Sequence, residues 1–265
     1  MVKSHTQIPK FLLKGFSHKT KDGQKVFYLD LDDLLVKEGK INQLGTVVGF
    51  YNKEIEDFLN KNVERPFADL LVEFNEYAKE KRKPLTISRK DNDIIRRFMR
   101  YCLLRSDYFL AQVNTQSKLS FLVGGYTHND VLAHVDFFSS NDFLENYNAT
   151  ILINHSDIEF VTLKNCYISA MVEGKQPKYI IPINRKIAIM LISNSENIGV
   201  KDTYEITPHI VVSDDVMKSI NARALFNEIQ YSGKFLVCSR EKELEELVDL
   251  IAEKNVKGEE LLPIT

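Results

Sequence analysis

Between Asn52 and Ala78 the apolar residues Ile55, Phe58, Leu59, Val63, Phe67, Leu70, Leu71, Phe74 and Ala78 recur at spacings of three and four. At 3.6 residues per turn that spacing collects them on one side, so the stretch reads as a long amphipathic helix with one stripe to bury. Asn52 stands where a side-chain oxygen can cap the first turn, and Glu54 and Glu56 suit its positive end. Pro66 has no N–H to donate, so a kink or a new helix is expected there. A stripe this long needs a partner. The charged stretch Lys79–Lys83 before Pro84 reads as a linker, and Ser88 or Asp91 as the cap of a second helix. That helix turns Ile94, Ile95, Phe98, Met99, Cys102, Leu103 and Phe109 inward.

On either side the period changes. Residues 5–17 read as a short, partly buried segment leading into a turn. Asp22-Gly23 is a turn signal, Val26–Leu29 a strand, and Gly39 and Gly45 punctuate an extended piece around Ile41 to Val48. Gly124-Gly125 breaks the chain, and a short helix is expected from Asn141 to Tyr147. Five short stretches rich in β-branched residues follow, near Thr150–Ile153, Glu159–Thr162, Tyr167–Val172, Lys178–Ile181 and Lys186–Ile192. They predict an antiparallel sheet. Ser213-Asp214-Asp215 opens a helix to about Tyr231 that Gly233 stops, Phe235–Cys238 is one more strand, and Ser239 caps a last helix from Glu241 to about Glu253. Helices, then strands, then helices give an α+β class rather than a repeated βαβ one. The expectation is a single unit over residues 1–265: an N-terminal histidine segment with a small hairpin, a helical half over about 50–148, and a sheet-rich half over about 149–265 with two late helices.

Composition narrows function by exclusion. Hydrophobic residues at 44% and charged residues at 27% are ordinary for a globular chain, and a net charge of −2 supplies no global basic field for nucleic acid. Cys102, Cys166 and Cys238 are far apart and odd in number, so they read as reduced, buried small hydrophobes rather than a metal or disulfide framework. The N-terminus is polar where a signal peptide is apolar, and no stretch has the length of a membrane span. A cytoplasmic chain with no membrane partner is the expectation. There is no phosphate-cradling P-loop, no Gly-x-Gly-x-x-Gly and no Gly-x-Ser-x-Gly elbow.

The opening run carries a resemblance. His5, Pro9, the Phe11-Leu12 pair and Phe16 resemble the signature of the uncharacterised bacterial family DUF4238. Strand Val26–Leu29, then Phe50-Tyr51, Glu56, Leu59 and Glu64, then the Arg100 to Arg105 helix are similar to its later elements. Pro182, and Asn221 before Tyr231, resemble its last landmarks, so the likeness is expected to span nearly the whole chain. One stretch departs. Where the family often has Thr-Ser-Asp, this chain reads Thr162-Leu163-Lys164-Asn165 and the acid is gone. The family brings no established activity. Its distribution implies a bacterial or phage-related setting.

The residues nominate a site. His5 titrates near neutrality and would serve as acid or base, against the ordinary alternative of a histidine bonded to a core carbonyl. Glu56 and Glu64, eight apart on one helix, share a side and with Asn60 and His5 would form a proton-transfer or divalent-metal cluster, unless they are simply its wet face. Arg96, Arg97, Arg100 and Arg105 crowd one helix; Arg100 or Arg105 would clamp a phosphate, while Arg97 can pair with Asp93. Lys164, Asn165 and Asn221 are further candidates, Asn221 reading slightly better as a satisfied buried amide. His18, His128, His134, His155 and His209 form no metal spacing, and His128 and His134 read as loop or surface. The function expected is a phosphodiester hydrolase, a nuclease acting on RNA or DNA in a defence or toxin setting, with any cofactor limited to a divalent metal. The alternative is a non-catalytic binding or sensor module for a protein partner or a small ligand. A third reading is a structural accessory subunit.

Overall fold

The computed structural model describes residues 3–5, 8–80, 85–116, 125–134, 144–170, 177–193, 203–206, 208–230 and 234–257. Its class is mixed α+β, as the change of period predicts.

The opening run does packing work. Strand β1 (Lys3–His5) pairs antiparallel with β5 (Thr46–Val48), His5 standing opposite Thr46. Pro9 then sits at the N-cap of helix α1 (Lys10–Gly15), a short helix within the stretch expected as a partly buried segment leading into a turn. Pro9 has no hydrogen to lose at that position, and its carbonyl accepts from Leu12 N–H at 3.0 Å. Ile8, Leu12, Leu13 and Phe16 are fully buried. Gly15 lets α1 lie against strand β10 (Lys178–Asn184): a Cβ there would stand 2.1 Å from the Ile183 carbonyl oxygen.

The expected hairpin is part of a larger sheet. Strands β2 (His18–Thr20), β3 (Gly23–Asp30) and β4 (Leu35–Lys40) pair in sequence, and β3 then takes β14 (Phe235–Cys238), which takes β8 (Thr162–Leu163). The Glu159–Thr162 stretch thus yields one short strand, and it belongs to this sheet. A second sheet orders β13 (His209–Val211), β7 (Tyr147–Asn154), β11 (Ile187–Ser193), β10 and β9 (Ile168–Ala170). It is antiparallel as expected except for β13, which runs parallel to β7. β6 (Leu85–Ser88) pairs with β12 (Thr203–Ile206). Of the helix expected over Asn141–Tyr147, residues 141–143 lie outside the described ones, residues 144–146 form a turn, and Tyr147 already begins β7.

The long helix is broken in an unforeseen way. α2 (Lys53–Leu59) is capped by Asn52, whose side chain accepts from Ile55 N–H at 2.9 Å. A wide π turn (Asn60–Glu64) follows, with Arg65 N–H reaching back five residues to Asn60 O, and then α3 (Arg65–Glu80). Two facts account for it. Pro66 cannot donate to Asn62 O and would crowd it, and Arg97 Nη1 approaches that carbonyl at 3.5 Å instead. Also, Ile55, Leu59, Val63 and Phe67 step by four, which drifts about 40° per step around a 3.6-residue turn. The wide turn corrects the drift and leaves all four buried. α4 (Arg89–Leu104) begins at a capping box, Asp91 N–H to Ser88 Oγ at 3.1 Å and Ser88 N–H to Asp91 Oδ2 at 2.9 Å. Phe67 and Phe98 stack at 3.9 Å between α3 and α4, with Phe11 from α1 tilted against both. α5 (Asp107–Gln116), α6 (His128–Ala133), α7 (Asp214–Gln230) and α8 (Glu241–Lys257) complete the helices described. Their buried faces join those of both large sheets in one continuous apolar core. Among the described residues no helix is long and apolar enough to cross a membrane.

Candidate functional site

α4 ends at Arg105, and the chain turns through Ser106 into α5. Ser106 Oγ donates to Leu103 O at 2.7 Å and accepts from Phe109 N–H at 3.1 Å, which fixes the turn. Arg105 thereby points inward and is fully buried. Its Nη1 donates to Glu64 Oε1 at 2.8 Å, and its Nη2 lies 3.9 Å from Cys102 Sγ. Glu64 is the last residue of the π turn, which turns it toward α4. Burial pulls the Arg105 pKa down, but Glu64, Tyr51 and the two nearby thiols push it well above the ordinary guanidinium value. The Tyr51 phenol is itself pushed up by burial, with Glu64, Glu56 and Asp107 all acting on it. Cys166 Sγ donates to Lys164 O at 3.7 Å. Burial raises the Cys102 thiol, but Cys166 and Arg105 bring it below its usual value; burial drives Cys166 well above. Cys166 holds a left-handed backbone at φ 67°.

Two residues on, Asp107 gathers a second set. Lys164 Nζ donates to Asp107 Oδ2 at 3.0 Å, and His128 Nε2 lies 3.4 Å from Asp107 Oδ1. Asp107 keeps 40% of its side chain exposed, against 10% for each of its neighbours. His128 opens α6 behind a capping box of Thr127 and Asp130. Burial lowers its pKa, Asp107 opposing and Lys164 reinforcing, so the ring is neutral at physiological pH. Glu228 of α7 is fully buried, and the Lys164 ammonium acts on it electrostatically without forming an ion pair. Burial pushes it up to about 8; the N–H groups of Phe235, Asn165 and Lys164 pull the other way without reaching hydrogen-bond geometry.

Of the nominated residues, Glu56, Glu64 and Arg105 converge around Tyr51, and Lys164 joins them through Asp107. Arg105 does not offer the open clamp expected of it: its guanidinium is inside the protein and bonded to Glu64. Glu64 faces Arg105 rather than forming a metal pair with Glu56, and among the described residues no three His, Cys, Asp or Glu side chains converge on a metal position. His5 is placed by its backbone alone, and its side chain lies outside the described residues. Arg100 is half-buried in α4. Asp93 is taken by Arg96, not Arg97. Asn165 is buried, its Nδ2 without a partner among the described residues. Asn221 is a satisfied amide: Oδ1 accepts from Val161 N–H at 3.1 Å, and Nδ2 donates to Glu159 O at 2.8 Å. Tyr231 lies outside the described residues. Sequence reasoning missed Asp107, His128 and Glu228. Only His128 carried a local signal, the Thr-x-x-Asp box that turns it from surface loop into the first turn of a helix.

A separate cleft lies between α7 and α8, with a volume of about 580 Å³. Ile158, Phe226, Leu247 and Leu250 supply apolar wall, and Glu243 reaches it with only 4% of its side chain exposed. Glu243 Oε1 accepts from Arg240 and from Glu159 N–H, while Oε2 has no partner among the described residues. Burial raises the Glu243 pKa.

Fold and site together define an α+β protein whose helical middle meets its sheets at a buried charged junction, with an apolar cleft on the far side of α7. Over residues 5–123 the chain matches the family described as Protein of unknown function (DUF4238). The match takes in Glu56, Glu64, Arg100, Arg105 and Asp107; His128, Lys164, Glu228, the cleft and the late landmarks Pro182 and Asn221 fall beyond it. No curated protein and no solved structure matches the chain.

Proposed function

We propose that the chain is a non-catalytic recognition module that holds a small ligand in the α7–α8 cleft. The observation that carries this reading is the concave, largely apolar space with one buried carboxylate at its wall, the usual anatomy of a small-molecule site. α7 presents Asn221, Arg223 and Phe226 to the cleft and also carries Glu228, on which Lys164 acts electrostatically. A ligand that reorients α7 would therefore be felt at the junction, which suits a sensor. Thermal melting of the full chain against a panel of small molecules tests the reading, run beside Ala222→Leu, which narrows the cleft. Compounds that raise the melting temperature of the parent chain and not of the variant are expected. Equal effects on both, or none on either, overturn it.

A second reading keeps the phosphodiester hydrolase acting on RNA or DNA in bacterial defence. One observation favours it: an exposed carboxylate, Asp107, backed by a lysine and a neutral histidine, is a proton-transfer arrangement. Against it, the buried guanidinium of Arg105 is engaged by Glu64, and a phosphate clamp must be open to solvent. Labelled RNA and DNA, with and without divalent metal, decide it: cleavage that disappears in Asp107→Asn and His128→Ala supports a hydrolase, and cleavage equal in both variants removes the set from the mechanism.

A further inference from the structure

We propose that the α7–α8 cleft takes a primary ammonium group carried on an apolar body, with the Glu243 carboxylate as its counter-ion. This rests on the reading of that cleft as the ligand site.

Four acidic side chains, Glu243, Glu246, Asp249 and Glu253, and two basic ones, Lys218 and Arg223, line the space. The basic ones are occupied. Lys218 lies 3.5 Å from Glu246. Arg223 donates through Nε to Ser169 O at 2.8 Å and stands over the Phe226 ring at 4.9 Å. Glu243 is the reverse case, since one oxygen is used and the other, removed from water, accepts nothing among the described residues. A desolvated acceptor of that kind rewards a donor that brings positive charge, because the ion pair then forms where water cannot screen it. Glu246, Asp249 and Glu253 recur at three and four along α8 and so fall on the side that faces the cleft; Glu246 is shared with Lys218 and Lys242, and Asp249 and Glu253 add negative charge there. Ile158, Phe226, Leu247 and Leu250 supply the apolar wall against which the body of the ligand would pack. With four carboxylates against two basic side chains on its lining, the cleft disfavours an anion.

The test titrates the full ¹⁵N-labelled chain with hexylamine, hexan-1-ol and hexanoate and follows the amides of Ala222, Phe226 and Leu247. Hexylamine is expected to shift them saturably, hexanol weakly and hexanoate not at all. Glu243→Gln, whose spectrum elsewhere should overlay the parent's, is expected to weaken hexylamine by about tenfold or more. Ala222→Leu should weaken hexylamine and hexanol alike, a check that does not depend on Glu243→Gln folding. Hexanol or hexanoate binding as tightly as the amine overturns the ammonium assignment and leaves the cleft a ligand site. Unchanged affinity in Glu243→Gln overturns the counter-ion. Silence of the cleft amides toward all three probes overturns the site itself.

Discussion

Arg105 Nη1 sits 2.8 Å from Glu64 Oε1, and the guanidinium that makes this bond is fully buried. Two residues on different helices, 41 positions apart in sequence, thus neutralise each other where the helical middle meets the sheets. A buried pair is costly to assemble and costlier to break, because removing one partner strands the other charge without water.

Arg105→Met should therefore destabilise the chain by about 3–5 kcal/mol, read from chemical denaturation midpoints. The double variant Arg105→Met, Glu64→Leu removes both charges and should recover much of that loss. A single variant no less stable than the parent would show that the pair contributes nothing to the junction.

Gly15→Ala places a methyl 2.1 Å from the Ile183 carbonyl oxygen, which is backbone and cannot swing aside. The expected cost is about 1–3 kcal/mol, visible as a lower melting temperature. An unchanged melting temperature would mean that α1 is not seated on β10 as described.

Glu228 makes stability depend on pH. Its folded pKa of about 8 lies above the ordinary value of 4.5, so the folded state holds a proton that the unfolded chain releases. The contribution is complete below the unfolded value and is lost as pH rises through the folded one. Unfolding free energy should fall between about pH 5 and 8 in the parent by more than in Glu228→Gln, a difference on the order of a few kcal/mol. Equal pH slopes in the two proteins would place the Glu228 carboxyl in water.

Ser88→Ala removes the side chain that accepts Asp91 N–H at the start of α4. A loss of about 1 kcal/mol is expected, with helical circular dichroism at low temperature preserved. No loss would mean that the packing of α4 makes its cap redundant.

These elements show what sequence reading can reach. The caps at Asn52 and Ser88 and the strand Phe235–Cys238 were legible because each rests on a local pattern: a polar oxygen ahead of an apolar stripe, or a β-rich run between turn signals. The pairing of that strand was not legible. Its partner β3 lies some two hundred residues earlier, and nothing in either run specifies the other. The same limit applied to the site. Glu64 and Arg105 could be named as charged residues on helices, but their meeting depends on the π turn, which Pro66 hints at without fixing its width. Asp107 lies inside the stretch that reads as one helix through Phe109 and gives no signal of its own, and its contacts come from Lys164 and His128 on other elements. Glu228 was hidden in a helix whose polar and apolar residues show little segregation, so burial of its carboxyl left no periodic trace.

We propose the α7–α8 cleft, rather than the charged set at Asp107, as the small-molecule site of this chain. Amide shift mapping of the full chain against a mixed-charge fragment collection tests it most directly. The responding amides are expected to concentrate at Asn221, Ala222, Phe226 and Leu247. Responses concentrated around Asp107 and His128, with the cleft unmoved, would contradict it.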